Sequence, residues 1–341
     1  MMALLRSKLW YTLAALGLLA LEACGPATPL QRQQYQGGAL GTSYSIILYT
    51  EAPQDFTGQI DSVFAVMNHS MSTYLPDSDI SRINRGDSTV AVDAMFREVF
   101  QTSREIWQAS GGHFDPTVGI LVDAWGFGPG PALEMDSLKV DSLLAYVGFD
   151  KVSLGPDNRI QKAYPQIRLD FNAIAKGYSI DRLAVLFDEA GISHYLIEVG
   201  GEVRARGGNP EKNQPWRIGI DDPQVTDGRS IKRVIDLEDR SMASSGNYRK
   251  FRVDPETGAK YVHTIDPLTG FTRSSNILAA SVLAPTCMVA DGYATTFMAM
   301  DLDASQKLLS EHDELEGYII YVDSDGTVRE FMTPGFEALI R

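Results

Sequence analysis

The chain has 341 residues, with 30 Lys+Arg against 44 Asp+Glu and a formal net charge of −14. That length supplies a substantial core for one large domain or two ordinary ones, and 44% hydrophobic against 22% charged residues excludes extensive disorder. A pI near 4.8 excludes a basic nucleic-acid footprint, and the two cysteines, Cys24 and Cys287, exclude a disulfide framework or a cysteine-based zinc cluster.

Residues 1–23 read as an export signal. Arg6 and Lys8 precede a 13-residue apolar run, Leu9–Leu21, which falls short of the ~20 residues of a membrane span and suits a secretory segment. Leu21-Glu22-Ala23-Cys24 resembles a bacterial lipoprotein cleavage box, with Glu22 where a small or apolar residue is usual. Cys24 is then the lipid-modified N-terminus, and the chain is exported and anchored at the periplasmic face of a bacterial membrane. A plain signal peptide with an incidental cysteine is the alternative. Residues 24–36, polar and carrying Pro26 and Pro29, read as a tether, and 37–341 as one domain.

Within that domain Ile60, Val63, Phe64 and Met67 share a helical face. Phe96, Val99, Phe100, Ser103, Ile106 and Trp107 share another, with Asp93 as N-cap and Gly111 past the end. Further helices are expected over Asn172–Ala190 and Met288–Met300. Strand patterns occupy Tyr44–Tyr49, Lys151–Leu154, Ile167–Phe171, His194–Val199, Trp216–Ile220, Ile231–Leu237, Ile277–Leu283 and Tyr318–Val322. Many adjoin turn residues at hairpin spacing, which favours antiparallel pairing. The expected fold is α+β: one two-lobed unit with a mainly antiparallel sheet and packed helices.

No phosphate-binding G-x-x-x-x-G-K-[ST], nucleophile-elbow G-x-S-x-G or helix-opening G-x-G-x-x-G is present. Gly200-Gly201 reads as a strand bend, and Asp323-Ser324-Asp325-Gly326 as a hairpin turn because the spacing of a calcium loop is missing. Four constellations could carry chemistry. Asp291 and Thr295 lie four apart on one helix face amid Met288, Val289, Tyr293 and Phe297, as a solvated pair or as oxygen donors to Mg²⁺. Asp170 precedes a helix start with Lys176 in its second turn, an anion-binding arrangement or an N-cap beside a surface lysine. His263, three before Asp266 and a Pro267…Gly270 turn, is a general-base candidate or a structural histidine. Gly112-His113-Phe114-Asp115 leaves a helix so that Phe114 could stack on a flat ring and Asp115 accept from it; a helix cap and turn would read the same.

Taken in order, nine motifs resemble those of the ApbE family of flavin transferases. They are Leu40-Gly41-Thr42, Met71-Ser72-Thr73-Tyr74 with Ser81-Arg82-Ile83-Asn84, Gly112-His113-Phe114-Asp115-Pro116-Thr117 and Trp125-Gly126-Phe127-Gly128. Then come Asp170-Phe171-Asn172-Ala173-Ile174-Ala175-Lys176-Gly177-Tyr178, Glu198-Val199-Gly200-Gly201-Glu202 and Ser244-Ser245-Gly246-Asn247-Tyr248. His263-Thr264-Ile265-Asp266-Pro267 and Ala290-Asp291-Gly292-Tyr293-Ala294-Thr295 close the series. Leu40 stands where the family usually has Met, and Asn172 where Gly is common.

The resemblance implies Mg²⁺-dependent transfer of FMN from FAD to a threonine hydroxyl of an acceptor flavoprotein, with release of AMP. It implies Mg²⁺ on the Asp291 carboxylate, the Thr295 hydroxyl and the Ala173 carbonyl. It implies FAD contacts from Leu40, Tyr74, His113, Phe114, Asp115, Asp170, Lys176 and Ile265, with Asp291 and His263 as catalytic residues, His263 being the base. An FAD pyrophosphatase at the same site and a flavin-carrying lipoprotein are the competing expectations.

Overall fold

Alternating side chains dictate the architecture. In the strand Thr42–Thr50 (β2), Ile46 and Leu48 pack into one core while Ile47 and Tyr49 join another on the opposite face. The Ile277–Ala284 strand (β12) repeats this: Ala280, Val282 and Ala284 turn one way, Ala279 and Leu283 the other. A period of two with both faces apolar requires a sheet covered on both sides. Each large side chain so buried contributes roughly 1.5–3 kcal/mol.

The computed structural model describes residues 29–225, 228, 230–246, 251–253, 260–262, 264–273 and 275–341. The strands are β1 (Gln31–Ala39), β2, β3 (Val152–Leu154), β4 (Ile160–Lys162), β5 (His194–Val199), β6 (Glu202–Arg206) and β7 (Trp216–Asp221). They continue with β8 (Ile231–Leu237), β9 (Ser241–Gly246), β10 (Phe251–Val253), β11 (Lys260–Val262), β12, β13 (Glu316–Val322) and β14 (Val328–Met332). An antiparallel sheet of eight strands runs β1-β2-β5-β6-β9-β12-β13-β14.

The helices are α1 (Thr57–Met71), α2 (Asp79–Asn84), α3 (Ala94–Ala109), α4 (Gly119–Ala124) and α5 (Ser137–Leu144), then α6 (Ala175–Glu189), α7 (Cys287–Ala299), α8 (Leu302–Ser310) and α9 (Pro334–Glu337). Helices α1, α3, α6 and α7 line one face of the sheet; the β7–β8 ribbon and Phe336 of α9 close the other. Beside this main body a smaller core of Leu121, Trp125, Val140, Val147 and Ile265 gathers α4, α5 and the 264–273 loop into a second lobe. The α+β, two-lobed, mainly antiparallel expectation is met.

Three boundaries differ from the sequence reading. The span read as a tether is strand from Gln31 onward; it is polar because β1 is a sheet edge whose side chains are mostly exposed. Ile167–Phe171 alternates like a strand, yet its backbone partners lie elsewhere. Leu169 exchanges two bonds with the Asn84 side chain, and the Asp170 N–H donates to the Pro116 carbonyl. The helix expected from Asn172 begins at Ala175, because Asn172 donates its N–H to Asp170 and the Ile174 and Ala175 N–H groups both donate to the Phe171 carbonyl. Asp93 does cap α3, accepting from the Phe96 N–H at 2.7 Å. The Asp323–Gly326 segment is the β13–β14 turn.

Candidate functional site

Two tight hairpins bring the first residues together. Ala39 pairs with Thr42 and Val199 with Glu202, so each hairpin has a two-residue loop. Positive φ at both loop positions, 60° and 100° for Gly200-Gly201, makes a turn whose twist matches the strands, and not the mid-strand bend read from the sequence. The other loop places Leu40 at φ 51°, a conformation a leucine holds only where packing compels it, and Leu40 packs against two core clusters. The Gly200 N–H donates to the Ser43 carbonyl, so both turns sit at one end of the sheet.

At that end α6 starts and crosses α7. The crossing is close because residue 177 is glycine: a Cβ there would lie 2.3 Å from the Cys287 carbonyl oxygen and 2.8 Å from Asp291 Cβ. The Gly177 N–H, which a regular helix would send to the Ala173 carbonyl, donates instead to Asp291 Oδ2 at 3.0 Å. Asp291 is 3% exposed. One turn along α7, half-buried Thr295 places its hydroxyl 3.3 Å from Ser245 Oγ at the end of β9. A carboxylate, a hydroxyl and a carbonyl released from its helical partner are all hard oxygen donors, which is the set Mg²⁺ accepts while completing its shell with water and phosphate. Among the described residues no group of three or more His, Cys, Asp or Glu side chains could hold a metal ion, so a closed zinc-type site is not what this corner offers.

Lys176 stands beside this pair. Its ammonium contacts Glu202 Oε1, and Glu202 is 4% exposed at the start of β6. Burial alone would lower the Lys176 pKa, but the nearby Asp291 and Glu202 carboxylates outweigh it and hold the ammonium above its ordinary value. Burial raises the Glu202 carboxyl against the pull of Lys176. Cys287, buried and free, has its thiol raised by burial and by neighbouring Asp181, Glu202 and Asp291; it is an inert part of this floor.

The mouth is built differently. A cleft of about 500 Å³ lies between Tyr74, the 129–133 loop, Asp123 and the Arg168–Asp170 segment. That volume falls within the range of small-molecule sites. Tyr74 is 59% exposed, with its hydroxyl 3.5 Å from the Phe127 carbonyl; burial, then Asp170 and Asp123, raise its phenol. Asp170, half-buried, is raised by burial while the Asn172 N–H opposes the shift.

The Gly112–Thr117 segment takes the helix-cap-and-turn form. Phe114 is 4% exposed within the main core, so its ring faces no open cleft. Asp115 accepts from the Thr117 N–H and hydroxyl on one oxygen and from the Phe149 N–H on the other, so it ties its own loop to the segment that begins at Phe149. Burial raises its carboxyl despite those bonds. His113 leaves its buried Nδ1 without a partner among the described residues. Ile265 is buried in the small lobe, in a loop pinned by the Trp125 indole N–H on the Gly270 carbonyl and by Arg273 on Asp266. His263 and Cys24 lie outside the described residues.

Thus Asp291, Thr295, Ala173 and Lys176 converge and Tyr74 and Asp170 share the cleft, whereas Phe114 and Ile265 lie in the two cores and Asp115 lines a second cavity beside Trp107 and Leu268. Sequence reasoning missed Asp181. Its carboxylate accepts from the Cys287 and Met288 N–H groups at 2.9 and 2.8 Å and from Arg204 at 3.1 Å, fixing the start of α7. The signal was its position four residues after Gly177, on the same face of α6.

The ApbE family model matches residues 40–319. The chain is 32% identical to the FAD:protein FMN transferase of Haemophilus influenzae over 91% of this chain and 92% of that protein. It is 31% identical to that of Vibrio cholerae over 97% and 98%. Among solved structures it is similar to the flavin transferase ApbE from Vibrio cholerae, with a TM-score of 0.81 and 30% identity over 91% of this chain and all of that one. The Thermotoga maritima ApbE protein gives a TM-score of 0.78 at 26% identity, covering 91% of this chain and all of that one. The chain belongs to the ApbE family.

Proposed function

We propose that the chain is an FAD:protein FMN transferase that moves the FMN half of FAD to a threonine hydroxyl of an acceptor flavoprotein and releases AMP. The observation that carries this reading is the Gly177 N–H bond to Asp291. It joins the start of α6 to the α7 carboxylate and leaves the Ala173 carbonyl available, which supports a cation seat where a diphosphate would lie.

In the reaction the acceptor oxygen bonds to the FMN phosphorus, the bond from that phosphorus to the bridging oxygen breaks, and AMP departs with the bridging oxygen. Positioning and charge neutralisation dominate such a transfer. Asp291, Thr295 and the Ala173 carbonyl hold Mg²⁺, which supplies Lewis-acid stabilisation of charge on the phosphate oxygens when bound. Lys176 donates to the diphosphate, and the first turn of α6 adds its positive dipole end. Tyr74 offers its ring to the flavin, with Leu40, Asp170, Ile265 and the His113–Asp115 backbone bounding the nucleotide. His263 takes the hydroxyl proton, a role worth typically ~10²–10⁴-fold.

Incubation with FAD, Mg²⁺ and a periplasmic flavoprotein bearing a target threonine, followed by intact-mass measurement, tests this. Addition of one FMN moiety to the acceptor is expected. Free FMN and AMP, formed at the same rate with or without the acceptor, would mark a pyrophosphatase instead.

The export signal and Cys24 support a lipid-anchored enzyme at the periplasmic face. Cys24→Ser should release it from washed membranes into the soluble fraction; continued membrane retention would refute the anchor. Among the described residues no helix is long and apolar enough to cross a membrane.

A further inference from the structure

Alternate residues of β6 reach α6 with two ion pairs of different character. Arg204 meets Asp181 at 3.1 Å, and that carboxylate also accepts two N–H groups of α7, so this pair is tied into the fold. Glu202 meets Lys176, and the connection ends there. Glu202 Oε2 is buried with no partner among the described residues, whereas the Lys176 side chain is still 29% exposed. A buried carboxylate with one oxygen unmatched is a poor stabilising device, because an apolar pair of similar size would hold the same elements at least as well. Fastening of α6 to β6 is already done by Arg204 and Asp181. Glu202 is the side chain the Lys176 ammonium touches directly, and with the nearby Asp291 carboxylate it sets where that ammonium stands at the start of α6.

We infer that Glu202 is a positioning residue whose carboxylate holds the Lys176 ammonium in place for the FAD diphosphate. The inference rests on the transferase reading above and deepens it. Lysine has a long flexible stem and a point charge, so without a fixed acceptor its head spreads over many rotamers and less of it is in place when the diphosphate arrives. The Glu202-Gly201 hairpin gives that acceptor a rigid base.

The sign of the effect separates this role from a plain electrostatic one. Removing a negative charge close to a diphosphate should by charge alone tighten FAD binding. Removing the group that positions Lys176 should weaken it. FAD titrations followed by flavin fluorescence, with chelator and again with Mg²⁺, read the dissociation constant on the full exported chain. Glu202→Gln is expected to raise it about tenfold in both conditions. Lys176→Met should do the same, and the double variant should bind no more weakly than Lys176→Met alone, since the two residues act as one unit.

Glu202→Asp, which keeps the charge one methylene short, should weaken binding as well and stands in if the glutamine variant fails to fold. Unchanged or tighter FAD binding in Glu202→Gln, or losses that multiply in the double variant, would overturn the inference. A wild-type chain that binds FAD and transfers FMN beside an unimpaired Glu202→Gln would remove this inference alone. A wild-type chain that binds no FAD would remove the transferase reading with it.

Discussion

The floor of the site and its mouth are built by opposite means. At the floor, residues more than a hundred positions apart meet in a crossing so close that a single methyl group at residue 177 would collide with backbone. Its carboxylates are buried, and its charged groups are held by one another or by N–H groups. The mouth is assembled from short helices and loops, its cleft of about 500 Å³ opens to solvent, and its aromatic side chain at Tyr74 is 59% exposed. The difference suits the chemistry proposed for each place. Phosphate and metal charge must be met by groups that cannot relax away, because reorganisation costs rate. A flat ring needs an apolar surface, and a protein acceptor needs an entrance, and neither demands sub-ångström placement.

Breaking the floor should therefore cost most. Asp291→Asn keeps an oxygen for the Gly177 N–H but loses the charge proposed to seat the cation. FMN transfer should fall on the order of 10²–10³-fold with little change in melting temperature, measured as acceptor mass gained over time at saturating Mg²⁺. Activity near wild type would mean that this carboxylate is not the seat. Gly177→Ala attacks the same spot sterically. That Cβ would meet the Cys287 backbone carbonyl, which cannot swing aside, so α6 must move off α7 at a cost of about 3 kcal/mol in a denaturant titration. A well-folded, fully active Gly177→Ala chain would show that the floor tolerates slack.

The same contrast explains what could be read from the sequence. Strands such as His194–Val199 and Ile231–Leu237 were legible to the residue, since apolar side chains at a period of two leave little choice. The Asp291/Thr295 pair stood out because polar groups were out of place on an apolar helix. The partners of the floor were not: Lys176 to Glu202 and Gly177 to Asp291 are contacts between different elements, 26 and 114 residues apart, and no local pattern encodes them. Phe114 shows the converse. A phenylalanine in a glycine-rich turn reads as a ring platform, yet in the fold it simply joins the core. Asp115 likewise has the composition of a ligand and the bonding of a loop staple.

At the mouth, effects should be smaller and fall on affinity. Tyr74→Ala removes an exposed ring with one 3.5 Å polar contact, so stability should stay within about 0.5 kcal/mol of wild type. Loss of an aromatic face, worth ~0.5–1.5 kcal/mol, should raise the KM for FAD several-fold and leave kcat nearly unchanged. Tyr74→Phe should behave as wild type, because the hydroxyl contact is at the limit of a hydrogen bond. A kcat loss in Tyr74→Ala matching that of Asp291→Asn would dissolve the distinction between floor and mouth.

The smallest effect tests whether the mouth has any fixed electrostatics of its own. Asp87, just past α2, accepts from the Thr89 hydroxyl and N–H at 2.6 and 2.9 Å and from Arg82 Nη2 at 2.8 Å. Those Thr89 bonds first, and then Arg82, lower its carboxyl from 3.8 to about 2. A carboxyl depressed on folding stabilises the native state fully above its unfolded value and loses that contribution as pH falls through the folded one. The Asp87 contribution should therefore be complete above pH 3.8 and gone below about pH 2. Asp87→Asn should lower the denaturant midpoint slightly at neutral pH, and the two curves should converge as the titration is repeated toward pH 2. Because Arg82 and Asp87 are partly exposed, salt should shrink the difference as well. Since Asn84 and Ser81 of the same helix border the cleft, a gap that persists at pH 2 would mean that Asp87 holds α2 through shape and not through charge.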